Sequence, residues 1–373
     1  MADAPLRLAL VTNIPAPYRV PVFDRVAATP GIALRVLYGA LREPDRDWDL
    51  PPLQHEHVLL PGRVVTRGGR HIHVNPAVWR ELQRFAPQVV LTTGYNPTHL
   101  AAFVYARTHG AAHVAMTDGT PASEAGLGAA HRWLRRQLLA RSAAAVAASA
   151  GGVQLLRQHG MDDAAIHRSP LCANPALRWA PRPGAVRDIE LLFSGRLVPD
   201  KNPGFALQVA QATAQRLGRP LRMAVLGGGP LLPELRRQAA TLAPLVQVDV
   251  TGPLKQADLP GWFQRSKLFL FPTRQDPWGV VANEACEAGV PVLVSPQAGV
   301  AGELVRDGDT GRVLPLDLAT WVDACAALLG DEGRRQRLAA AARAAVAAYG
   351  VEQAAAGIVG AARQALLRCA VAR

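Results

Sequence analysis

The sequence Ile189-Glu190-Leu191-Leu192-Phe193-Ser194-Gly195-Arg196-Leu197-Val198-Pro199-Asp200-Lys201-Asn202 begins as a short apolar run and stops at a serine and a glycine. It then opens a loop carrying a guanidinium and an ammonium. Apolar runs of about five residues closed by glycine or proline favour strands of a buried parallel sheet over pieces of helix. The loop after this strand has the composition of an anion site. Arginine offers a planar fork to phosphate oxygens, lysine adds a point charge, and Gly195 lets the backbone come close. A solvated loop would explain the same residues, but Lys201 is one of only 3 lysines against 38 arginines, so it is not background.

On both sides of this stretch the same alternation of Val/Leu-rich runs and helical patterns recurs. Strands are expected at Leu6 to Thr12, Ala33 to Tyr38, Val89 to Thr93, His113 to Thr117 and Ala144 to Ala148. They restart at Ile189 to Phe193, Arg222 to Leu226, Val246 to Val250, Leu268 to Phe271 and Pro291 to Val294. Between the two sets, Trp179-Ala180-Pro181-Arg182-Pro183-Gly184 reads as a linker. The expectation is an α/β chain of two Rossmann-like doubly wound domains, residues 1–180 and 186–350, facing a cleft. A tail helix over 351–373 is expected to cross back to the first domain. The Ala-rich tail from Leu318 breaks at Gly330 and Gly350. In such sheets ligands sit at the carboxyl ends of strands, so chemistry is sought in the residues just beyond each strand.

Composition narrows the classes. With 373 residues, 49% hydrophobic and 19% charged, the chain fills two cores, and disorder is excluded. Cys172, Cys286, Cys325 and Cys369 lie far apart with no C-x-x-C, which removes a zinc ribbon, a thioredoxin-type pair and a disulfide framework, and fits a reducing cytoplasm. No basic segment precedes the Leu6 strand, so export is not expected, and the uncharged Ala-rich stretch near Ser142 to Gln158 falls short of a membrane span. The net charge is +12, and residues 1–185 carry 20 Arg against 12 Asp+Glu. Such a half suits anionic lipid, a phosphate-bearing substrate or nucleic acid, although an arginine-rich codon bias explains it equally. No nucleic-acid reading module is recognised, and aromatics are 5%. Gly227-Gly228-Gly229-Pro230 also lacks the G-x-G-x-x-G spacing of a dinucleotide dehydrogenase.

A second cluster runs Phe271-Pro272-Thr273-Arg274-Gln275-Asp276-Pro277-Trp278-Gly279-Val280-Val281-Ala282-Asn283-Glu284-Ala285. Asp276 sits in a loop after a strand. Glu284 lies inside the helix expected over Gly279 to Gly289, whose first amides suit a phosphate. Ionised carboxylates accept hydrogen bonds from the paired hydroxyls of sugar and ribose. The plain alternatives are a helix cap for Asp276 and a solvated helix face for Glu284.

Together these motifs resemble the retaining glycosyltransferases of family 4, the group 1 transferases of the GT-B fold. Ser194-Gly195-Arg196 through Lys201-Asn202 is similar to the family's G-R-x(4)-K-N loop, and Leu226-Gly227-Gly228-Gly229-Pro230 to its G-x-G-P. Asp276 to Glu284 resembles its E-x(7)-E, and Gly289-Val290-Pro291-Val292, Gly302-Glu303-Leu304-Val305 and Gly308-Asp309-Thr310-Gly311 match the family's segments beyond that signature. The resemblance implies that Arg196 and Lys201 neutralise a donor diphosphate, that Glu284 holds the ribose, and that Asp276 contacts the transferred sugar. It implies that Gly279 and Val280 reach the sugar or diphosphate through backbone amides, and that the base lies near Gly227 and Thr251-Gly252-Pro253-Leu254, with Gly195 and Val281 as further donor-binding candidates. It further implies a nucleotide-sugar donor, a glycan or lipid-linked acceptor, retention of configuration, and no metal or cofactor. The expected setting is envelope or polysaccharide synthesis in the cytoplasm, with peripheral contact at the inner membrane face. A nucleotide-sugar epimerase or phosphorylase of the same fold is the alternative within it.

The chain departs from the family where Asp276 replaces the first glutamate. After the first strand, a proline-bracketed Asn13-Ile14-Pro15-Ala16-Pro17-Tyr18-Arg19 replaces a Gly-Gly loop. Asn13, Tyr18 and Arg19 are acceptor or diphosphate candidates, or only shape a turn before a helix opened by Pro21. Tyr95 comes after a later strand, and Asp118 in Met116-Thr117-Asp118-Gly119 stands where a His-Asp pair is usual, with a helix N-cap as its alternative. The pairs His55/His57 and His71/His73 have no third ligand and read as surface histidines. The basic segment His131 to Arg141 reads either as a membrane-surface helix or as an ordinary helix with its arginines in water.

Overall fold

Runs of Val, Leu and Ala between turn residues form the strands, and helices on both faces bury them. The computed structural model describes residues 4–44, 49–50, 52–67, 70–181 and 184–371. Arg182 and Pro183 of the expected linker lie outside the described residues. The chain divides into two compact units, Met1–Asn174 with Gly350–Arg373, and Pro175–Tyr349.

The first unit runs β1 (Leu6–Thr12), α1 (Val20–Ala27), β2 (Ile32–Tyr38), β3 (Glu56–Leu59), β4 (Arg63–Arg67), β5 (Arg70–Val74), α2 (Ala77–Phe85), β6 (Val89–Thr92), α3 (Pro97–Thr108), β7 (Ala112–Thr117), α4 (Pro121–Glu124), α5 (Ala129–Leu139), β8 (Ala144–Ala147), α6 (Ala150–Gln158) and β9 (Ile166–Arg168). Seven strands form one parallel sheet in the order β3-β2-β1-β6-β7-β8-β9, while β4 and β5 pair as an antiparallel hairpin. Every residue of β6, β7 and β8 is buried, so these strands show no in-out alternation. The edge strands β3 and β9 and the hairpin were not expected, because they are short and polar.

The second unit runs β10 (Ile189–Ser194), α7 (Pro203–Leu217), β11 (Leu221–Leu226), α8 (Leu232–Leu242), β12 (Val246–Gly252), α9 (Leu259–Arg265), β13 (Ser266–Phe271), α10 (Val280–Glu287), β14 (Val292–Val294), β15 (Gly311–Val313), α11 (Leu318–Gly330) and α12 (Glu332–Val346). Its sheet, also parallel, has the order β12-β11-β10-β13-β14-β15. Chain order therefore reverses at β1/β6 in one sheet and at β10/β13 in the other. Trp179, assigned above to the linker, is buried edge-on against Phe263 with ring centroids 5.5 Å apart. The units accordingly divide before the proline-rich stretch rather than within it.

The final helix, α13 (Val351–Val371), belongs to the first unit. Its small face, including Ala354, Ala355, Ile358, Ala361, Ala362 and Ala365, joins Leu8, Val36, Val114 and Val146 in one core. Gly330 ends α11 and Gly350 precedes α13, where the breaks were expected. Within Glu332–Ala370 one 18-residue window is apolar enough to cross a membrane by length and composition, yet α13 packs one face into this core. Contact with β9 is tight: a Cβ on Gly357 would stand 1.7 Å from the Arg168 carbonyl oxygen. Valine there must push α13 off the sheet edge, so Gly357→Val should destabilise the first unit by about 2 kcal/mol or more in urea unfolding. Gly204→Ala in α7, whose nearest neighbour would be 3.8 Å away, should stay within about 0.5 kcal/mol of the parent.

Candidate active site

In the second unit the loops that leave β10, β11 and β12 at their carboxyl ends are laced by backbone hydrogen bonds. The Gly195 amide donates to the Leu226 carbonyl at 3.0 Å, that of Leu197 to Gly228 at 2.8 Å, and that of Gly227 to Gly252 at 3.1 Å. A Cβ on Gly227, whose φ is +130°, would lie 2.0 Å from the Gly195 carbonyl oxygen, so only glycine permits this approach. The sequence expectation grouped Gly195, Gly227 and Gly252, and the structure joins them. Arg196 projects from this loop and is exposed.

Across the switch point, the loop after β13 is fastened to the loop after β10. The Asp200 carbonyl accepts from Thr273 Oγ1 at 2.8 Å and from the Arg274 amide at 2.7 Å. These bonds bring Lys201 Nζ to 2.6 Å from Asp276 Oδ2 and 3.3 Å from the Gln275 carbonyl. Both side chains of the pair are largely covered, at 15% and 16% exposure. Asp276 Oδ1 accepts from the Trp278 amide at 3.1 Å, and its backbone is strapped to Gln297 and Gly299. Asp276 is therefore an ion-pair partner of Lys201 rather than a helix cap; Gly279, at φ +103°, is the N-cap of α10. Val280 and Val281 form the first turn of that helix. Trp278 is buried and donates from its indole nitrogen to Asn283 Oδ1 at 2.8 Å, which locks the loop onto the helix.

Glu284 does not lie on a solvated helix face. Its Oε2 is buried and has no hydrogen-bond partner among the described residues. Burial, with the nearby Glu287 charge, pushes its carboxyl up to about 8. Glu287 is itself raised to about 6 by burial. An enclosed carboxyl with an unpartnered oxygen is a receptor for a hydroxyl. Leu254 lies just beyond β12 with a partly buried side chain.

In the first unit a cavity opens at the β1/β6 switch point, lined by Asn13, Tyr18, Arg19 and Asp118 together with Thr93 and Glu43. Asn13 Oδ1 accepts from Asn96 Nδ2 at 2.9 Å across the switch. Arg19 is buried and bonds Asp118 Oδ1 at 2.5 Å through Nη2, and Ser169 Oγ at 3.2 Å through Nη1. Asp118 is thus no helix cap; Thr120 caps α4. Pro21 stands in the first turn of α1, as the turn reading required.

Tyr95 is not among the residues the cavity gathers. It is covered by Arg135, whose guanidinium lies 4.5 Å over its ring. Burial pushes the Tyr95 hydroxyl up to about 12, against the pull of the Arg135 charge. Arg135 also pairs with Glu124, so one arginine of the basic segment turns inward instead of into water. The histidine pairs need the same correction. His55 and His73 are buried, bonded to Asp24 at 2.6 Å and to Glu43 at 2.9 Å, while His57 is exposed. No group of His, Cys, Asp and Glu suited to a metal is found among the described residues. Glu43, Ser169 and Thr93 were missed by the sequence reading, since none stands in a motif.

Because the folded Glu284 binds a proton up to about pH 8 while an unfolded glutamate releases it near its ordinary value, its ionisation weakens the fold as pH rises between those values. Glu284→Gln should therefore melt higher than the parent at pH 8, with the advantage shrinking at pH 5, in thermal scans.

Residues 181–345 match the family model described as glycosyl transferases group 1. The D-inositol 3-phosphate glycosyltransferase of Xylanimonas cellulosilytica is 32% identical over 173 residues, 45% of this chain and 40% of that protein. A GDP-mannose-dependent alpha-(1-6)-phosphatidylinositol monomannoside mannosyltransferase of Mycolicibacterium smegmatis is 33% identical over 153 residues, 39% of each. The chain thus spans under half the length of these curated relatives. In fold, Anabaena Alr3699/HepE in complex with UDP superposes with a TM-score of 0.75 at 15% identity, covering 95% of this chain and 99% of that one. Residues 181–345 thus carry the likeness to the group 1 glycosyl transferases, and the two Rossmann-like units have the GT-B fold.

Proposed function

We propose that the protein moves a sugar from a nucleotide-diphosphate donor to a hydroxyl acceptor with retention of configuration. The observation that carries this reading is the meeting of Lys201 and Asp276 at the switch point of the second sheet, 2.6 Å apart. In the loaded enzyme Arg196 and Lys201 face the diphosphate, whose charge grows as the glycosidic bond breaks, and Asp276 turns its carboxylate to a sugar hydroxyl. Shortening the family's first glutamate to Asp276 is matched by the strap of Asp276 to Gln297 and Gly299, which fixes its backbone. Glu284 offers its unpartnered oxygen to the ribose, and the first amides of α10 point to the sugar or phosphate.

The UDP in the HepE complex and the GDP-mannose named for the mycobacterial relative make these two the first donors to try. The acceptor falls to the first unit, whose cavity collects Asn13, Tyr18, Arg19 and Asp118. A cytoplasmic setting with a glycan or lipid-linked acceptor, and peripheral membrane contact through the exposed Arg132, Trp133 and Arg136 of α5, completes the reading.

Arg196→Ala and Lys201→Ala should each lower kcat/KM by on the order of 10² to 10³ in a donor-to-acceptor transfer assay, with melting temperature kept in Arg196→Ala. Full activity in both variants would reject the assignment. In thermal-shift measurements one of UDP, GDP or ADP should raise the melting temperature of the parent and fail to do so in Arg196→Ala. Conversion of the donor sugar without any acceptor would instead identify an epimerase.

A further inference from the structure

Resting on the glycosyltransferase reading above, we propose that the first unit's cavity, about 230 Å³ at the β1/β6 switch point, takes an uncharged polyhydroxyl acceptor group and rejects a phosphorylated one. Among the described residues its lining holds one cationic residue, Arg19, and that charge is already paired. The side chain is 6% exposed, Nη2 sits on Asp118 Oδ1 at 2.5 Å, and Nη1 bonds Ser169 Oγ at 3.2 Å and the Ser169 carbonyl at 3.3 Å.

The start of α1, where a doubly wound fold commonly binds phosphate, is closed by the prolines that replace glycine. The Arg19 and Val20 amides both donate to the Ala16 carbonyl, at 2.8 and 3.0 Å, and Pro21 has no amide hydrogen to offer. Two carboxylates face the same space. Asp118 is 42% exposed, and Glu43 is held in place by the fully buried His73 through Nε2 at 2.9 Å. A phosphate entering here meets the like charge of Glu43 and gains little from Arg19, whose charge Asp118 offsets. Hydroxyls, in contrast, are hydrogen-bond donors suited to carboxylates, and Phe23 and Met116 in the lining suit the C–H face of a ring.

The test uses the full chain with its donor site filled by the stabilising nucleotide diphosphate, so that phosphate probes cannot bind there. Two matched pairs are titrated by protein-observed NMR: myo-inositol with its 3-phosphate, and methyl α-glucoside with its 6-phosphate. The neutral member of a pair should bind at least about tenfold more tightly than its phosphate. Asp118→Asn, which leaves the Arg19 charge without its partner, and Glu43→Gln should each narrow that ratio. If one variant fails to fold, the other carries the comparison.

Equal or tighter binding of the phosphates, an unchanged ratio in a folded variant, or no binding of either class would overturn the inference. Failure of every nucleotide diphosphate to stabilise the parent would instead overturn the donor reading of the second unit.

Discussion

A lysine and a carboxylate separated by 75 positions in the chain close on each other at 2.6 Å, and the second unit is arranged to hold them there. The reason is topological. Strand order reverses between β10 and β13, so the loops leaving these adjacent strands flank one crevice instead of succeeding each other along the sheet. Two hydrogen bonds onto the Asp200 carbonyl then tie the loops together, and the pair forms where they meet. Both charges are largely withdrawn from water, which is tolerable only because each has the other. A bound diphosphate would give Lys201 a second anionic partner without requiring it to be desolvated afresh.

Backbone geometry prepares the same region. The loops after β10, β11 and β12 approach so closely that a methyl group on Gly227 would collide with the Gly195 carbonyl. Glu284 is the exception in charge. It is an enclosed acid whose burial raises it to about 8, and its Oε2 has no hydrogen-bond partner among the described residues. Such an unpartnered buried oxygen is costly to the fold.

The first unit solves its own switch point differently. Prolines replace glycines after β1, and the buried charges there are satisfied internally, Arg19 by Asp118 and Ser169 and Glu43 by His73. One sheet end thus pairs Lys201 with Asp276 on glycine-rich loops, and the other pairs Arg19 with Asp118 beside a proline-shaped loop.

Strand positions, the breaks at Gly330 and Gly350, and the Gly195, Gly227 and Gly252 loops were legible in the sequence, because apolar runs of about five and the glycines that end them are local signals. The short polar strands β3 and β9 were not, since they owe their pairing to neighbours rather than to their own pattern. Roles that depend on partners were also out of reach. Asp118 and Asp276 read more readily as caps, and only the fold set them against Arg19, 99 positions away, and Lys201. Trp179 read as linker until its burial on Phe263 placed it in a core. Residue type and spacing determined which chemistry was present and on which loops. The tertiary structure alone decided which charges neutralise one another and which remain for a ligand, because that choice is made by strand order across distances that no local pattern encodes.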